Sequence, residues 1–215
     1  MSTIRVANAP CSWGALEFEN HSVGRASRPD AGTRILTEMA AAGYEGTELG
    51  DWGLLPTEPD ALAALLEAMG LSLAGAFVPV PWTASDAVRT GLRDALRVAR
   101  LVAAAAPDAF LILADDNGTH PVRTARAGRI RPGDGLGRDD WRRVGAAVDE
   151  VAAAVQGETG LRVVFHHHGG GFVETPDEIA RLLDATRPER LGLCLDTGHY
   201  ALGGGDPVAA LERFA

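Results

Sequence analysis

Three consecutive histidines, His166, His167 and His168, close a short apolar run in the last third of the chain. Side chains alternate along a strand, so His166 and His168 are expected on one face and His167 on the other. Imidazole nitrogens bind divalent ions such as Co²⁺, Zn²⁺ and Fe²⁺. The alternative is a chance run of histidines, one of which is only hydrogen-bonded in the core. The spacing leaves both interpretations open.

A second polar group, Asp196-Thr197-Gly198-His199, closes the next apolar run. Asp196 could supply a carboxylate ligand to a metal shared with His166, and His199 could act as a base. An aspartate at this position could equally cap the turn that follows it. An earlier carboxylate, Glu48, ends a short apolar run beside glycines and is a candidate for holding a substrate hydroxyl.

Other side chains suited to substrate binding follow predicted strands near the start of the chain. Asn8 and Trp13 both lie after the first apolar run. Trp13, Trp52 and Trp82 each present a flat apolar face that could stack on a sugar or cyclitol ring, or could plug the mouth of a barrel. Asn8 and Trp13 therefore join Glu48 as predicted substrate-binding residues.

Parallel βα units are the elements that would position these residues. Short apolar runs alternate with longer amphipathic stretches, which is the pattern of such units rather than of hairpins. In these folds, ligand-binding groups gather at the carboxyl ends of the strands. Polar residues close five of six predicted strands, which cover residues 4–9, 46–49, 71–78, 109–114, 161–167 and 191–196.

The helix boundaries can also be predicted. Thr57 is expected to cap a helix over residues 61–69 that stops at Gly70. Thr175-Pro176-Asp177-Glu178 has the pattern of a capping box, and Asp206-Pro207 predicts the start of the last helix.

The segment from Asp115 to Asp139 is rich in Gly, Arg and Asp and predicts a long flexible loop. Asp115, and Glu174 further along the chain, are weaker site candidates. Loops and helix N-termini attract carboxylates for electrostatic reasons alone.

The number of predicted strands limits the fold. An eightfold βα barrel needs about 250 residues, and after the sixth predicted strand only residues 197–215 remain. The fold is therefore either an open six-stranded sheet or a (β/α)₈ barrel shortened to about six βα units, and we favour the second, as one α/β domain over residues 1–215. Open apolar edges would promote self-association into a homo-oligomer.

Composition excludes several classes of protein. The chain has 215 residues, 29 acidic and 20 basic, with a formal charge of −9. This charge argues against nucleic acid and anionic membranes as partners. Two cysteines, Cys11 and Cys194, cannot form a disulfide framework, and no apolar run is long enough to span a membrane. We therefore expect a cytoplasmic protein.

Four motifs together resemble a known group of enzymes. They are Asn8-Ala9-Pro10-Cys11-Ser12-Trp13-Gly14, Gly43-Tyr44-Glu45-Gly46-Thr47-Glu48-Leu49-Gly50, Phe165-His166-His167-His168 and Cys194-Leu195-Asp196-Thr197-Gly198-His199. The combination is similar to the xylose-isomerase-like sugar phosphate isomerase/epimerase superfamily, and within it to the inosose dehydratases. The resemblance implies a (β/α)₈ barrel with a divalent metal at its C-terminal mouth, Mn or Co first and Zn or Mg next.

The resemblance also implies roles for individual residues. Asp196 matches a metal ligand of the superfamily, and His199 matches a residue that contacts substrate. His166 stands where the isomerases and epimerases have a glutamate ligand that moves protons, and His168 stands where relatives often have histidine. Imidazole in place of that carboxylate agrees with a dehydratase. The ligands of the seventh and eighth strands have no counterpart in this sequence.

These observations predict a metal-dependent lyase that removes water from a polyhydroxylated ketone such as an inosose. The metal would polarise the carbonyl, His166, His168 or His199 would take the neighbouring proton, and the β-hydroxyl would leave with acid assistance. One alternative is a sugar or keto-acid isomerase or epimerase, which returns the proton instead. Another is a non-catalytic remnant or ligand-binding partner subunit. In each case the expected ligand is a small polyol or ketose.

Overall fold

The computed structural model describes residues 4–14 and 30–214. The chain divides into two compact units, which are considered separately. The first unit comprises the chain up to Phe77 together with Arg97–Leu111, and the second comprises Val78–Leu96 and the chain from Ile112 onward.

Six strands form one sheet in the order β1-β2-β3-β4-β5-β6, so neighbours along the chain are neighbours in the sheet. The pairs β1/β2, β2/β3 and β5/β6 are parallel. The predicted α/β class and six parallel βα units are confirmed. The strands are β1 (Ala7–Asn8), β2 (Gly46–Glu48), β3 (Ser72–Val80), β4 (Phe110–Asp115), β5 (Arg162–His166) and β6 (Gly192–Cys194).

The described ranges also contain eight α-helices and two short 3-10 turns, Pro10–Trp13 and Pro132–Asp134. None of these helices combines the length and the apolarity that crossing a membrane requires. The helices are α1 (Ala31–Ala41), α2 (Pro59–Met69), α3 (Ala87–Ala105), α4 (Pro121–Ala125), α5 (Arg138–Thr159), α6 (Pro176–Ala185), α7 (Thr197–Leu202) and α8 (Pro207–Phe214).

Four strands, β1, β2, β5 and β6, are shorter than predicted, and the difference is largest in β1 and β6. β1 does not include Ile4 or Val6, which are 91% and 53% exposed and so are not drawn into the sheet by burial. β6 ends at Cys194 instead of Asp196. The backbone N–H of Asp196 donates to the side chain of His167 and not to a neighbouring strand, so strand pairing stops before it.

In the first unit, α1 and α2 pack on each other and bury Leu36, Met39 and Leu62 completely. Gly70 ends α2 in the left-handed conformation, with φ +65°, as predicted. The predicted cap at Thr57 is wrong. Glu58 is the N-cap and makes no side-chain cap hydrogen bond, so α2 begins on the fixed φ of a proline in its first turn.

In the second unit, α5 and α6 pack closely beside β5. A Cβ on Gly145 of α5 would lie 2.4 Å from Cβ of Ala185, so a side chain there would force the two helices apart. The core beneath them contains Val148, Val151 and Phe165, all fully buried. The predicted capping box of α6 is confirmed, because Thr175 accepts from the N–H of Glu178 and the Glu178 carboxylate accepts from the N–H of Thr175.

The segment from Asp115 to Asp139 is more ordered than its composition predicted. It contains α4 and the second 3-10 turn, and Arg123 within it has no exposed surface. The prediction of a flexible loop is therefore wrong at this arginine. Its guanidinium pairs with the carboxylate of Glu178, and this distant partner allows a charged residue to be buried.

Candidate active site

Three histidines of the second unit form a cluster beyond the ends of β5 and β6. His166 is the last residue of β5, His168 lies two residues further on, and His199 lies in α7. Their candidate ligand atoms all lie within 4.8 Å of one another, and all three side chains are half-buried. The ring centroids of His168 and His199 are 3.8 Å apart. The structure thus brings together the three residues that the sequence predicted to be catalytic.

The end of β5 separates the three consecutive histidines by environment. His167 is fully buried, whereas His166 and His168 are half-buried. This is the result expected from alternation along a strand. His166 pairs in register with Cys194, so Asp196 follows the neighbouring strand by two residues.

Asp196 begins the helix that carries His199. Its Oδ1 accepts the backbone N–H of His199 at 2.7 Å, which makes Asp196 the N-cap of α7. Its Oδ2 lies 4.0 Å from Nε2 of His199. The sequence left open whether Asp196 caps a turn or binds a metal. Capping is observed for Oδ1, while Oδ2 lies beside the histidine cluster.

One tautomer of His168 is selected by the backbone. Nδ1 of His168 lies 2.7 Å from the carbonyl oxygen of Gly169. Because a carbonyl only accepts hydrogen bonds, Nδ1 carries the proton and Nε2 carries the lone pair. Nε2 is therefore the atom of His168 that can bind an ion or accept a proton.

The imidazoles of His166 and His199 are held in their neutral form. Burial lowers the pKa of His166 to about 4, against the opposing effect of the nearby Asp196 carboxylate. Burial, and secondarily the neighbouring His168 ring, also lowers the pKa of His199. At neutral pH both rings therefore keep a nitrogen lone pair without competition from a proton.

Asp196 carries a negative charge next to these rings. Burial by itself would raise its pKa, but the hydrogen bond from the His199 N–H and the proximity of His199 and His166 outweigh burial, and the net pKa is lowered. Asp196 is thus ionised at neutral pH. It is not one of the three residues whose ligand atoms are mutually close in the described part of the chain, so its role as a metal ligand stays a prediction.

The cluster fits a divalent ion. Two nitrogen ligands about 2.1 Å from one ion lie at most about 4.2 Å apart, and the three histidine donors lie within 4.8 Å. Small side-chain movements would bring them into coordination. A set of three imidazole ligands suits Co²⁺ or Zn²⁺ better than the hard ion Mg²⁺.

The predicted substrate-binding residues Asn8, Trp13 and Glu48 belong to the first unit. A bulge between Thr47 and Glu48 shifts the register at the end of β2, and burial raises the pKa of Glu48. Oδ1 of Asn8 accepts the N–H of the next residue at 2.8 Å, and Trp13 packs edge to face on Tyr44. Their role in binding, and their convergence with the histidines, stay predictions.

The other two tryptophans differ from each other. Trp82 is only 1% exposed, and its indole N–H donates to the carbonyl of Ala114 at 2.8 Å. It is a core residue, so ring stacking on a substrate is wrong for Trp82. Trp52 is exposed, and the guanidinium carbon of Arg97 lies 4.4 Å from the centre of its ring.

A buried polar network lies beside the cluster, and sequence reasoning named Asp115 and Glu174 only as weaker site candidates without linking them to Arg123 and Glu178. Arg123, Glu174 and Glu178 are all buried and hydrogen-bonded, and each contacts the segment that follows β5. Asp115 joins them, since its Oδ2 accepts the N–H of Phe172 at 2.6 Å, and burial raises its pKa. The capping box at Glu178 predicted a helix start only, and nothing in the sequence indicated its pairing with Arg123.

Parallel βα units with a histidine cluster beyond the strand ends are the arrangement of a TIM-barrel enzyme fold. Residues 36–215 match the xylose isomerase-like TIM barrel family, and the chain belongs to that family. It is 32% identical over 218 residues to an inosose dehydratase from Geobacillus kaustophilus, a match that covers 100% of this chain and 67% of that protein. It is 33% identical to the rhizopine catabolism protein MocC from Rhizobium meliloti, covering 100% of this chain and 62% of that protein. The predicted resemblance is confirmed.

Solved structures agree on the fold. The probable 3-DHS dehydratase AsbF from Bacillus anthracis matches 98% of this chain and 69% of its own with a TM-score of 0.64 and 13% identity. The 3-keto-D-glucoside 4-epimerase YcjR from E. coli matches 86% of this chain and 71% of its own with a TM-score of 0.65 and 14% identity. The chain spans about two thirds of the length of the curated relatives it matches.

Proposed function

We propose that the protein is a metal-dependent dehydratase that removes water from a polyhydroxylated ketone such as an inosose. The observation that carries the proposal is the cluster of His166, His168 and His199, in which an imidazole ends the fifth strand. The two relatives named above support it, since one is an inosose dehydratase and the other a rhizopine catabolism protein.

Each member of the cluster has a proposed role. His166 and His168 come from one face of the same strand end and would hold the ion, Mn²⁺ or Co²⁺. A divalent ion bound there supplies Lewis-acid polarisation of the substrate carbonyl, which acidifies the neighbouring C–H bond. His168 is already oriented for this role, because its Nδ1–H is engaged by the carbonyl of Gly169.

His199 is the proposed base. Its pKa is lowered, so its ring is neutral at pH 7 and can accept the proton from carbon. Asp196 Oδ2, 4.0 Å from Nε2 of His199, would stabilise the imidazolium that forms. The imidazolium can then donate the proton to the β-hydroxyl, so that the C–O bond breaks and water leaves. If Asp196 is instead a metal ligand, its loss reduces metal affinity as well as turnover.

The test is to incubate the purified protein with an inosose and with common ketohexoses, with and without Mn²⁺ or Co²⁺. We expect metal-dependent formation of the dehydrated product from the inosose. Conversion of ketohexoses to isomers or epimers, without loss of water, would favour the alternative reaction. Metal binding with no turnover of any substrate would favour a binding subunit.

Variants make the test specific to the cluster. His199→Asn should reduce turnover by about 100-fold or more, because it removes the general base. His120→Asn is the matched control, since His120 lies outside the cluster and caps α4, a role that asparagine can keep. Equal losses in both variants would contradict the assignment of His199.

A further inference from the structure

A buried ionic network holds the loop that follows β5. The loop consists of Gly169, Gly170 and Gly171, and we call it the glycine loop. The network consists of Arg123, Glu174 and Glu178, here called the glycine-loop clamp, and all three residues are buried.

Glu174 joins two separate segments of backbone. Its Oε2 accepts the N–H of Gly170 at 2.7 Å, and its Oε1 accepts the N–H of Gly128 at 2.6 Å. Both oxygens are therefore engaged, one by the glycine loop and one by the segment after α4. Because each oxygen of the Glu174 carboxylate accepts a charge-assisted hydrogen bond, the two backbone segments are held close to each other.

Arg123 holds the carboxyl end of the loop. Its Nε donates to the carbonyl of Gly171 at 2.6 Å, and its two terminal nitrogens donate to the two carboxylate oxygens of Glu178 at 2.8 Å each. Oε2 of Glu178 also accepts the backbone N–H of Glu174 at 3.1 Å. The Arg123 and Glu178 side chains are thus connected through the backbone of Glu174 to the residue whose side chain holds Gly170.

The glycine loop supports two members of the histidine cluster. The carbonyl of Gly169 accepts the Nδ1–H of His168. Leu202, at the end of the helix that carries His199, packs so closely that a Cβ on Gly169 would lie 2.8 Å from its side chain, and one on Gly128 would lie 2.7 Å from it. Glu174 is also near enough to His199 to oppose the lowering of its pKa.

Buried ion pairs are weak contributors to stability, because replacement by apolar residues of similar size is often neutral or stabilising. In some proteins such pairs serve to fix one geometry, and the backbone that Arg123 bonds here is that of the glycine loop. We propose that Arg123, Glu174 and Glu178 are positioning residues that hold the carbonyl of Gly169 in place. They thereby keep His168 in the tautomer that presents Nε2. The importance of this His168 tautomer for catalysis rests on the proposed function, whereas the tautomer itself does not.

The first experiment measures the tautomer directly. Nitrogen-15 NMR of the histidine rings at neutral pH should show His168 in the Nδ1–H form in the wild type. Glu174→Gln keeps the size of the side chain but leaves one acceptor oxygen for two N–H groups, so we expect a mixture of tautomers at His168. Asp134→Asn is the matched control, because Asp134 pairs with Arg126 in the same segment of chain without contacting the glycine loop.

The second experiment measures binding of Co²⁺ alone by calorimetry. Loss of a residue that orients a ligand typically weakens metal affinity by about 10- to 100-fold, and we expect a loss in this range for Glu174→Gln and for Arg123→Lys. Arg123→Lys retains the charge but loses Nε and the paired donors. Circular dichroism identifies any variant that fails to fold. If Arg123→Lys does not fold, the result for Glu174→Gln decides the test.

The outcomes separate this proposal from the proposed function. A folded Glu174→Gln variant with the wild-type tautomer at His168 and unchanged Co²⁺ affinity would overturn the positioning role. A changed tautomer in a protein that dehydrates no inosose would support the positioning role and reject the dehydratase.

Discussion

The backbone N–H of Asp196 donates a hydrogen bond to Nε2 of His167, 3.2 Å away. The middle histidine of the three therefore links the end of β5 to the turn that starts α7. Because Nε2 accepts, Nδ1 carries the proton, and in the described part of the chain this buried nitrogen has no hydrogen-bond partner. His167 thus has a structural contact to Asp196, whereas His166 and His168 face the cluster.

The first prediction separates these roles by mutation. Asp196→Asn should abolish most activity, because it removes the charge next to His199 while keeping the size of the side chain. His167→Ala should retain more activity per folded molecule but lower the free energy of unfolding by about 2–3 kcal/mol, since it removes a buried ring and the partner of a buried N–H. Kinetics with excess metal and urea unfolding measure the two effects. An inactive His167 variant beside an active Asp196 variant would mean that the roles of the histidines must be exchanged.

The second prediction concerns pH. Burial lowers the pKa of His167 to about 4, below the ordinary value near 6.5 that it has in the unfolded chain. Between these values the unfolded chain binds more protons, so stability should fall as the pH drops from about 6.5 to about 4. Glutamine does not titrate in this range. The difference in the free energy of unfolding between the wild type and His167→Gln should therefore shrink as the pH falls, by at most about 3 kcal/mol. Urea unfolding curves that keep a constant separation at all pH values would contradict the prediction.

The third prediction concerns the buried ion pair. Arg123→Ala should lower the free energy of unfolding by about 3–5 kcal/mol, because it leaves the carboxylate of Glu178 buried without its partner. Arg142→Ala is the control, since its ion pair with Asp139 is exposed and should contribute less than about 1 kcal/mol. Denaturant unfolding of both variants checks the difference. Similar small losses in both would show that Glu178 is stabilised without Arg123.

The fourth prediction compares two glycines. A Cβ on Gly171 would lie 2.5 Å from Oδ1 of Asn117 and 2.9 Å from Oδ2 of Asp115, so Gly171→Ala should destabilise the protein by about 1–3 kcal/mol. Gly157, in the exposed part of α5, has no atom within 4 Å of its Cβ position. Gly157→Ala should therefore stabilise the protein by about 0.5–1 kcal/mol, because alanine favours the helix. Thermal unfolding should shift in opposite directions, and a shift in the same direction would contradict the packing at Gly171.

Much of the architecture follows from local sequence. The six strands, the end of α2 at Gly70 and the capping box of α6 depend on residues within a few positions of one another, and each of these predictions is confirmed. The separation of His167 from His166 and His168 is local in the same sense, because it follows from the alternation of side chains along one strand.

Contacts between distant residues were decided by the tertiary structure alone. Arg123 and Glu178 are 55 positions apart, and nothing near Arg123 in the sequence distinguishes a buried arginine from a solvated one. Trp82 is buried against Ala114, which lies 32 positions away in the sequence. Strand β6 ends at Cys194 because Asp196 bonds to His167, which lies 29 positions away. His199 reaches His166 and His168 only because the pairing of β5 with β6 and the cap at Asp196 place α7 beside them. The sequence specifies which side chains are available, while strand register and packing select which of them meet.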